Sequence, residues 1–446
     1  VVRKPASAAK VEHPALVAYL RFLTARAIAP KPFPIAEVHP GADDHVENTN
    51  DPDTSFRIRG TKSSPFMIPA IQSSIVREIG QMDNSPPDGE ESLSRLSPLV
   101  MGGAGFSYQL HPNPESLPVR NIVQRAFELG LRAIDTSPYY EPSEQLLGAA
   151  LSHPEICSKY RRSDYILMTK VGRLAEKHFD YSPDWIRKSV ARSLQRFGTT
   201  YLDVVFCHDV EFVSIDEAVE AVGILQELSQ NGTIKYVGIS GYDIERLEAV
   251  SLRVRKRFGY PVDVVQSWGK LTLQNAELEK KGLEAFRKAG VKAVCSSSPL
   301  AIGLLRNDGV PVGALGNFHP APAGLRAAAQ NAACWVHSEG DDLASLALRF
   351  AISRALQNCQ PGFIVTTITG IGSISDLEEN VKTAKRILKM SRAPATEDML
   401  SIIQPLYNYD CIDGTMAKRD EHLYSTVRNI LGRWLDYDFS STPPTT

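Results

Sequence analysis

The chain has no excess of positive charge. Its 49 Lys and Arg stand against 51 Asp and Glu, and a net charge of −2 supplies none of the basic surface that nucleic acid or an anionic membrane requires. Long apolar runs are missing as well. The best candidate, PALVAYLRFLTARAIAP over 14–30, is interrupted by Arg21 and Arg26 and falls short of the roughly 20 apolar residues that span a bilayer. Cysteine is sparse: six residues, at 157, 207, 295, 334, 359 and 411, form no CxxC pair and no zinc-finger spacing. That excludes a disulfide scaffold or a thiolate metal cage and favours reduced thiols in a reducing compartment, so a cytoplasmic protein is expected. Residues 1–30 carry no secretory signal pattern.

What is present is enough apolar residue, 43%, against 22% charged, for a chain of 446 residues to bury a large core. The composition changes along the chain. Residues 1–92, with stretches such as PGADDHVENTNDPDTS and QMDNSPPDGEES, read as a poorly ordered N-terminal extension carrying one plausible helix near 13–28. Residues 93–446 read as the folded body and its C-terminal tail. From residue 98, short apolar runs alternate with stretches of helical period. The runs are SPLVMGG, LRAID, YILMTK, LDVVFCH, IKYVGIS, VDVVQSW, VKAVCSSS and GFIVTTITG. Helices are predicted over 118–130, 143–151, 183–197, 216–230, 243–257, 276–289, a pair within 323–355, and 375–389. Eight strands each followed by helix predict an α/β fold of the (β/α)8 TIM-barrel type. An open doubly wound sheet would show GxGxxG after its first strand, and GGAGFS lacks that spacing.

Chemistry in such barrels sits at the C-terminal ends of the strands. Here those ends supply Asp135, Lys170, His208, Ser240, Gln266 and the serines 296–298, a ring of polar groups around one mouth. Tyr140 follows Asp135 by five residues in a Pro-bracketed turn, AIDTSPYYEPSE. Asp, Tyr, Lys and His form a proton-transfer set. One carboxylate and one His do not make a metal site, so no metal is expected. A Schiff-base role for Lys170 stays open on this ground alone.

AIDTSPYYEPSE, TKVGR, LDVVFCHDVE, KYVGIS and DLEEN together resemble the aldo-keto reductase superfamily, over roughly residues 96–390, and within it the NAD-dependent sugar 1-dehydrogenases. The resemblance implies that Tyr140 carries the proton that accompanies hydride transfer, with Lys170, Asp135 and His208 as its catalytic companions. A free tyrosine has a pKa of about 10. An ammonium at ~4 Å in an effective dielectric of ~20 attracts the phenolate by about 4 kcal/mol, enough to lower that pKa by roughly three before desolvation subtracts its share. Asp135 then holds Lys170, and His208 orients the substrate oxygen.

The same resemblance assigns Ser240 and Gln266 to the nicotinamide carboxamide, Ser298 and Leu300 to the pyrophosphate, and Gly372, Ser373, Asp376, Glu379 and Asn380 to the adenosine end. Three departures stand out. Gly241 replaces the usual Asn after the serine, Ser297 replaces a stacking aromatic, and Glu141 follows the tyrosine where Gly is common. No cation occurs from Gly370 to Asn380, which favours NAD over NADP, with Lys382 as the nearest exception. Phe106, Tyr108 and Trp268 are candidate substrate walls. The expected reaction passes a hydride between NAD and the anomeric carbon of an aldose such as D-arabinose, giving the lactone. The competing expectations are an NADP-dependent aldehyde reductase and a barrel that binds nucleotide as a sensor.

Overall fold

The computed structural model describes residues 93, 95–310, 319–390 and 409–440. The expected extension, residues 1–92 with its helix near 13–28, lies outside the described residues. Eight parallel strands close into a barrel in sequential order: β1 (Leu99–Gly102), β2 (Ala133–Asp135), β3 (Ile166–Val171), β4 (Leu202–Cys207), β5 (Ile234–Gly241), β6 (Val264–Trp268), β7 (Ala293–Ser297) and β8 (Ile364–Gly370), which pairs back onto β1. Each of the eight apolar runs became a barrel strand.

Alternation along the strands decides what faces inward, since successive side chains point to opposite faces. Val100, Ala133, Ile166, Met168, Val204, Phe206, Tyr236, Val264, Ala293, Cys295 and Ile368 pack with one another as a core of their own inside the barrel. Their strand neighbours, among them Leu99, Met101, Ile134, Leu167, Val205, Val237, Val265 and Val294, pack outward against the helices. Continuing the inward parity to the strand ends gives Asp135, Lys170, His208, Ser240, Gln266 and Ser297. The polar ring is therefore the top layer of the same stack that fills the barrel.

The helices α1 (Val119–Glu128), α2 (Ser143–Leu151), α3 (Pro183–Phe197), α4 (Ile215–Gln230), α5 (Ile244–Phe258), α6 (Leu283–Ala289), α7 (Ala323–Ser338), α8 (Leu343–Gln357) and α9 (Ile374–Ile387) occupy the predicted stretches. Their starts carry the expected caps. Ser182 accepts from the Trp185 amide, and Ser214 and Glu217 form a reciprocal capping box. The 323–355 stretch splits because Gly340 takes a φ of 74° and Asp342 caps the second helix. Closest approach falls at Gly148, where a Cβ would overlap the Arg196 carbonyl, so only Gly lets α2 meet α3.

A tenth helix, α10 (Gly414–Leu431), was not anticipated. It packs on α7 and α8. Fully buried Arg349 of α8 bonds Asp420 of α10 and Asp341 through Nε 2.5 Å and Nη2 2.8 Å respectively. The chain then packs on the segments that follow β5 and β6, where Gln274 donates to the Trp434 and Tyr437 carbonyls and the Phe439 amide donates to the Tyr242 hydroxyl.

Candidate active site

Parity brings Asp135, Lys170 and His208 to one floor, and the 136–142 turn carries Tyr140 over it. Lys170 is 1% exposed. Its ammonium donates to Asp135 Oδ1 at 2.8 Å, Asp135 Oδ2 at 2.9 Å and the Thr136 carbonyl at 2.9 Å. The ion pair fixes the cation 5.3 Å from the centre of the Tyr140 ring. The three donor directions of Lys170 are all taken up by these acceptors, which leaves the nitrogen no free direction toward a substrate carbonyl and opposes a Schiff-base role. The His208 ring meets Tyr140 edge-on, with centroids 5.8 Å apart.

His208 is held well below its ordinary pKa by burial first and by the charges of Lys170 and Arg173 second, so it is neutral. Its Nε2 lies 3.5 Å from Asp209 Oδ2 and its Nδ1 lies 3.1 Å from Ser137 Oγ. Ser137 Oγ already accepts from the Tyr139 amide at 3.1 Å, which turns its own proton toward Nδ1 and leaves the ring proton on Nε2. The Tyr181 hydroxyl fixes the His208 backbone carbonyl at 2.6 Å.

Sequence reasoning missed a second charged layer. Arg173, on the hairpin after β3, and Asp209, directly after His208, form a buried ion pair lining the same cavity. The Arg173 guanidinium sits 4.1 Å from the centre of the Tyr139 ring, and the Trp268 indole hydrogen-bonds the Asp209 carboxylate. Behind them the half-buried Glu211 has Oε1 on the Tyr242 amide at 2.8 Å and a buried Oε2 without a partner. Burial, then the Asp209 charge, pushes its carboxyl up to about 8. Glu211 also explains Gly241: a Cβ there would overlap Glu211 Oε2, so the carboxyl occupies the space of the missing side chain. The signal for all three was in TKVGR and CHDVE, where charged residues touch strand ends, but periodicity does not distinguish a cavity wall from a surface turn.

The cavity encloses about 400 Å³, within the usual range for small-molecule sites. Ser240, Gln266, Ser297, Ser298 and Leu300 line it together with the four catalytic candidates. The residues fit a nicotinamide nucleotide on one direct observation. Gln266 spends its Nε2 on Asp135 Oδ2 at 3.3 Å, while its Oε1 is buried with no partner, an acceptor placed for an amide donor. The loop 298–302 holds Ser298, Ala301 and Ile302 at positive φ, which bends it around the mouth.

Gly372, Ser373, Asp376, Glu379 and Asn380 do not line that cavity. They form the first turns of α9, beyond Gly370, which does. Ser373 caps the Asp376 amide, and Asp376 Oδ2 accepts from the Gly372 amide at 3.1 Å. Lys382 is 72% exposed and pairs with Glu379 at 3.3 Å.

Of the three aromatic walls, only Trp268 reaches the cavity, tilted against Tyr242 with ring centroids 4.4 Å apart and registered beside Ser297. Phe106 is fully buried in the shell between barrel and helices, because the Gly103–Phe106 turn directs it inward. Tyr108 points to solvent and bonds Glu115, which drives its hydroxyl up to about 12; Gln109 and Leu110 take the place at the rim. Glu141 turns away from the cavity to Arg196 at 2.6 Å and Gln145 at 2.8 Å.

Among the described residues no group of His, Cys, Asp and Glu could hold a metal ion, all six cysteines are free thiols, and no helix is long and apolar enough to cross a membrane. Barrel, cavity and the unpaired Gln266 acceptor together fit a nicotinamide-dependent oxidoreductase. The model of the aldo/keto reductase family matches residues 98–398, and the chain belongs to that family. It is an NAD(P)-dependent oxidoreductase. D-arabinose 1-dehydrogenase of Saccharomyces cerevisiae is 42% identical over 263 residues, 58% of this chain and 76% of that protein. L-galactose dehydrogenase of Arabidopsis thaliana is 34% identical over 290 residues, 64% of this chain and 84% of that protein.

Proposed function

We propose that the protein oxidises the anomeric hydroxyl of an aldose to the lactone, with NAD as hydride acceptor. The observation that carries this reading is the buried Lys170–Asp135 pair, which holds a cation against the Tyr140 ring at the cavity floor. Bound NAD would supply the hydride acceptor beside the anomeric carbon. Tyr140, ionised with the help of that cation, takes the proton from the anomeric hydroxyl. His208 donates Nε2–H to the same oxygen and keeps it facing the tyrosine. Its neutrality matters here, since an imidazolium would compete with Lys170 for the phenolate.

Gln266 Oε1 and Ser240 would hold the carboxamide, Ser298 and Leu300 the pyrophosphate, and the α9 turn the adenosine. Asp376 favours NAD. A carboxylate there accepts from a ribose hydroxyl and repels a 2′-phosphate, and Lys382, already engaged by Glu379, adds no free cation. Both named relatives are sugar dehydrogenases, which supports an aldose as substrate.

The test is a panel of pentoses, hexoses and 6-deoxy sugars with NAD and with NADP, followed by reduced nucleotide and lactone formation. Aldose-dependent NADH and lactone are expected. Aldehyde reduction with NADPH alone, or tight nucleotide binding without turnover, would overturn the proposal.

A further inference from the structure

The Arg173–Asp209 pair is expensive and has no part in the proton relay just described. Both side chains are about 5% exposed, and removing two charges from water costs more than their attraction returns unless something else is gained. Asp209 is also held at φ 58°, ψ 62°, a left-handed conformation that a residue other than Gly adopts against steric resistance. A charge that is buried, strained and on a cavity wall marks a functional position.

Its placement says which function. Asp209 Oδ2 stands 3.5 Å from His208 Nε2, one a hydrogen-bond acceptor and the other a donor. Two oxygens on adjacent carbons lie about one hydrogen-bond length apart, so an oxygen held by His208 brings its neighbour to Asp209. Arg173 is spent on Asp209 through Nη1 and so holds the carboxylate on the cavity wall. A hydroxyl group beside the oxygen held by His208 can donate to that carboxylate.

We propose that Asp209, held by Arg173, selects polyhydroxy substrates by binding the hydroxyl on the carbon next to the reacting one. In an aldose that is the 2-hydroxyl. This rests on the aldose reading above. Trp268 and Tyr139 frame the pair, Trp268 through its indole hydrogen bond to the carboxylate and Tyr139 beneath the guanidinium. A substrate without that hydroxyl leaves a buried carboxylate facing carbon, and sites built to bind a hydroxyl reject such analogues strongly.

The experiment compares kcat/KM for an aldose and its 2-deoxy counterpart in the wild type, in Asp209→Asn and in the doubly neutral Asp209→Leu/Arg173→Met. The double variant removes both charges together, so it folds even if the single variant, with an unpaired Arg173, does not. The wild type is expected to prefer the full aldose by at least about a hundredfold, and the variants to bring the two within about tenfold. A purely structural role would lower both rates alike and leave the ratio intact, which would overturn the inference, as would an unchanged ratio at full activity. If the wild type oxidises no aldose, the aldose reading fails separately. The same ratio is then read in reduction, with an α-hydroxy aldehyde against its deoxy counterpart, under the same criterion.

Discussion

Tyr140 and Asp376 each carry one separable property. Tyr140→Phe removes one oxygen from a half-buried ring and leaves Gln266, Ser240 and α9 untouched. Turnover is expected to fall by about 10² to 10⁴, the usual contribution of a positioned acid or base, while nucleotide affinity by fluorescence titration stays within about twofold. Wild-type rates would remove the tyrosine from its role. Asp376→Arg puts a fork of donors where a carboxylate now stands, and the ratio of NADP to NAD affinity should rise by about tenfold or more. An unchanged ratio would show that the adenosine lies elsewhere. Glu141 shows how far residue types can be read unaided. It stands where Gly is common, and only the position of Arg196 on α3 decides that its carboxylate points away from the cavity.

At the scale of elements, strands and helices were legible because their signals are local. Apolar runs, caps at Ser182, Ser214 and Asp342, and the Gly340 break lie within a few residues of the features they set. α10 was not legible, because its partners are distant in sequence: Arg349 on α8 and Gln274 after β6 are what give residues 414–440 a place. Removing Asp420 leaves a fully buried guanidinium with half its partners. Asp420→Ala is expected to destabilise the protein by about 3–5 kcal/mol in denaturant titration, whereas Arg349→Met/Asp420→Leu recovers most of that loss. Equal losses in both variants would mean that packing of α10, and not charge pairing, fastens the segment.

For the whole molecule, buried titratable groups tie stability to pH in opposite directions. His319 is pushed down to about 4 by burial, so between about 4 and its ordinary value of about 6.5 the unfolded chain binds more protons and stability falls as the solution is acidified. Glu211 is pushed up to about 8, so between about 4.3 and 8 the folded chain binds more protons and stability falls as pH rises. Glu211→Gln removes the second slope. The variant should match the wild type near pH 5 and exceed it above pH 8 in melting temperature. A parallel pair of curves would show that the Glu211 carboxyl is ionised throughout.

The sequence by itself determined the barrel, its strand count and the polar residues Asp135, Lys170 and His208 at its floor, because alternation along a strand and the polar ends of apolar runs are local quantities. Tertiary structure alone decided which neighbours those residues meet. It set Arg173 against Asp209, filled the space beside Gly241 with Glu211, took Phe106 and Tyr108 away from the cavity and fastened the C-terminal segment to Gln274 and Tyr242. Such contacts join positions tens to hundreds of residues apart, and what fixes them is shared volume and paired charge, which no periodicity along the chain records.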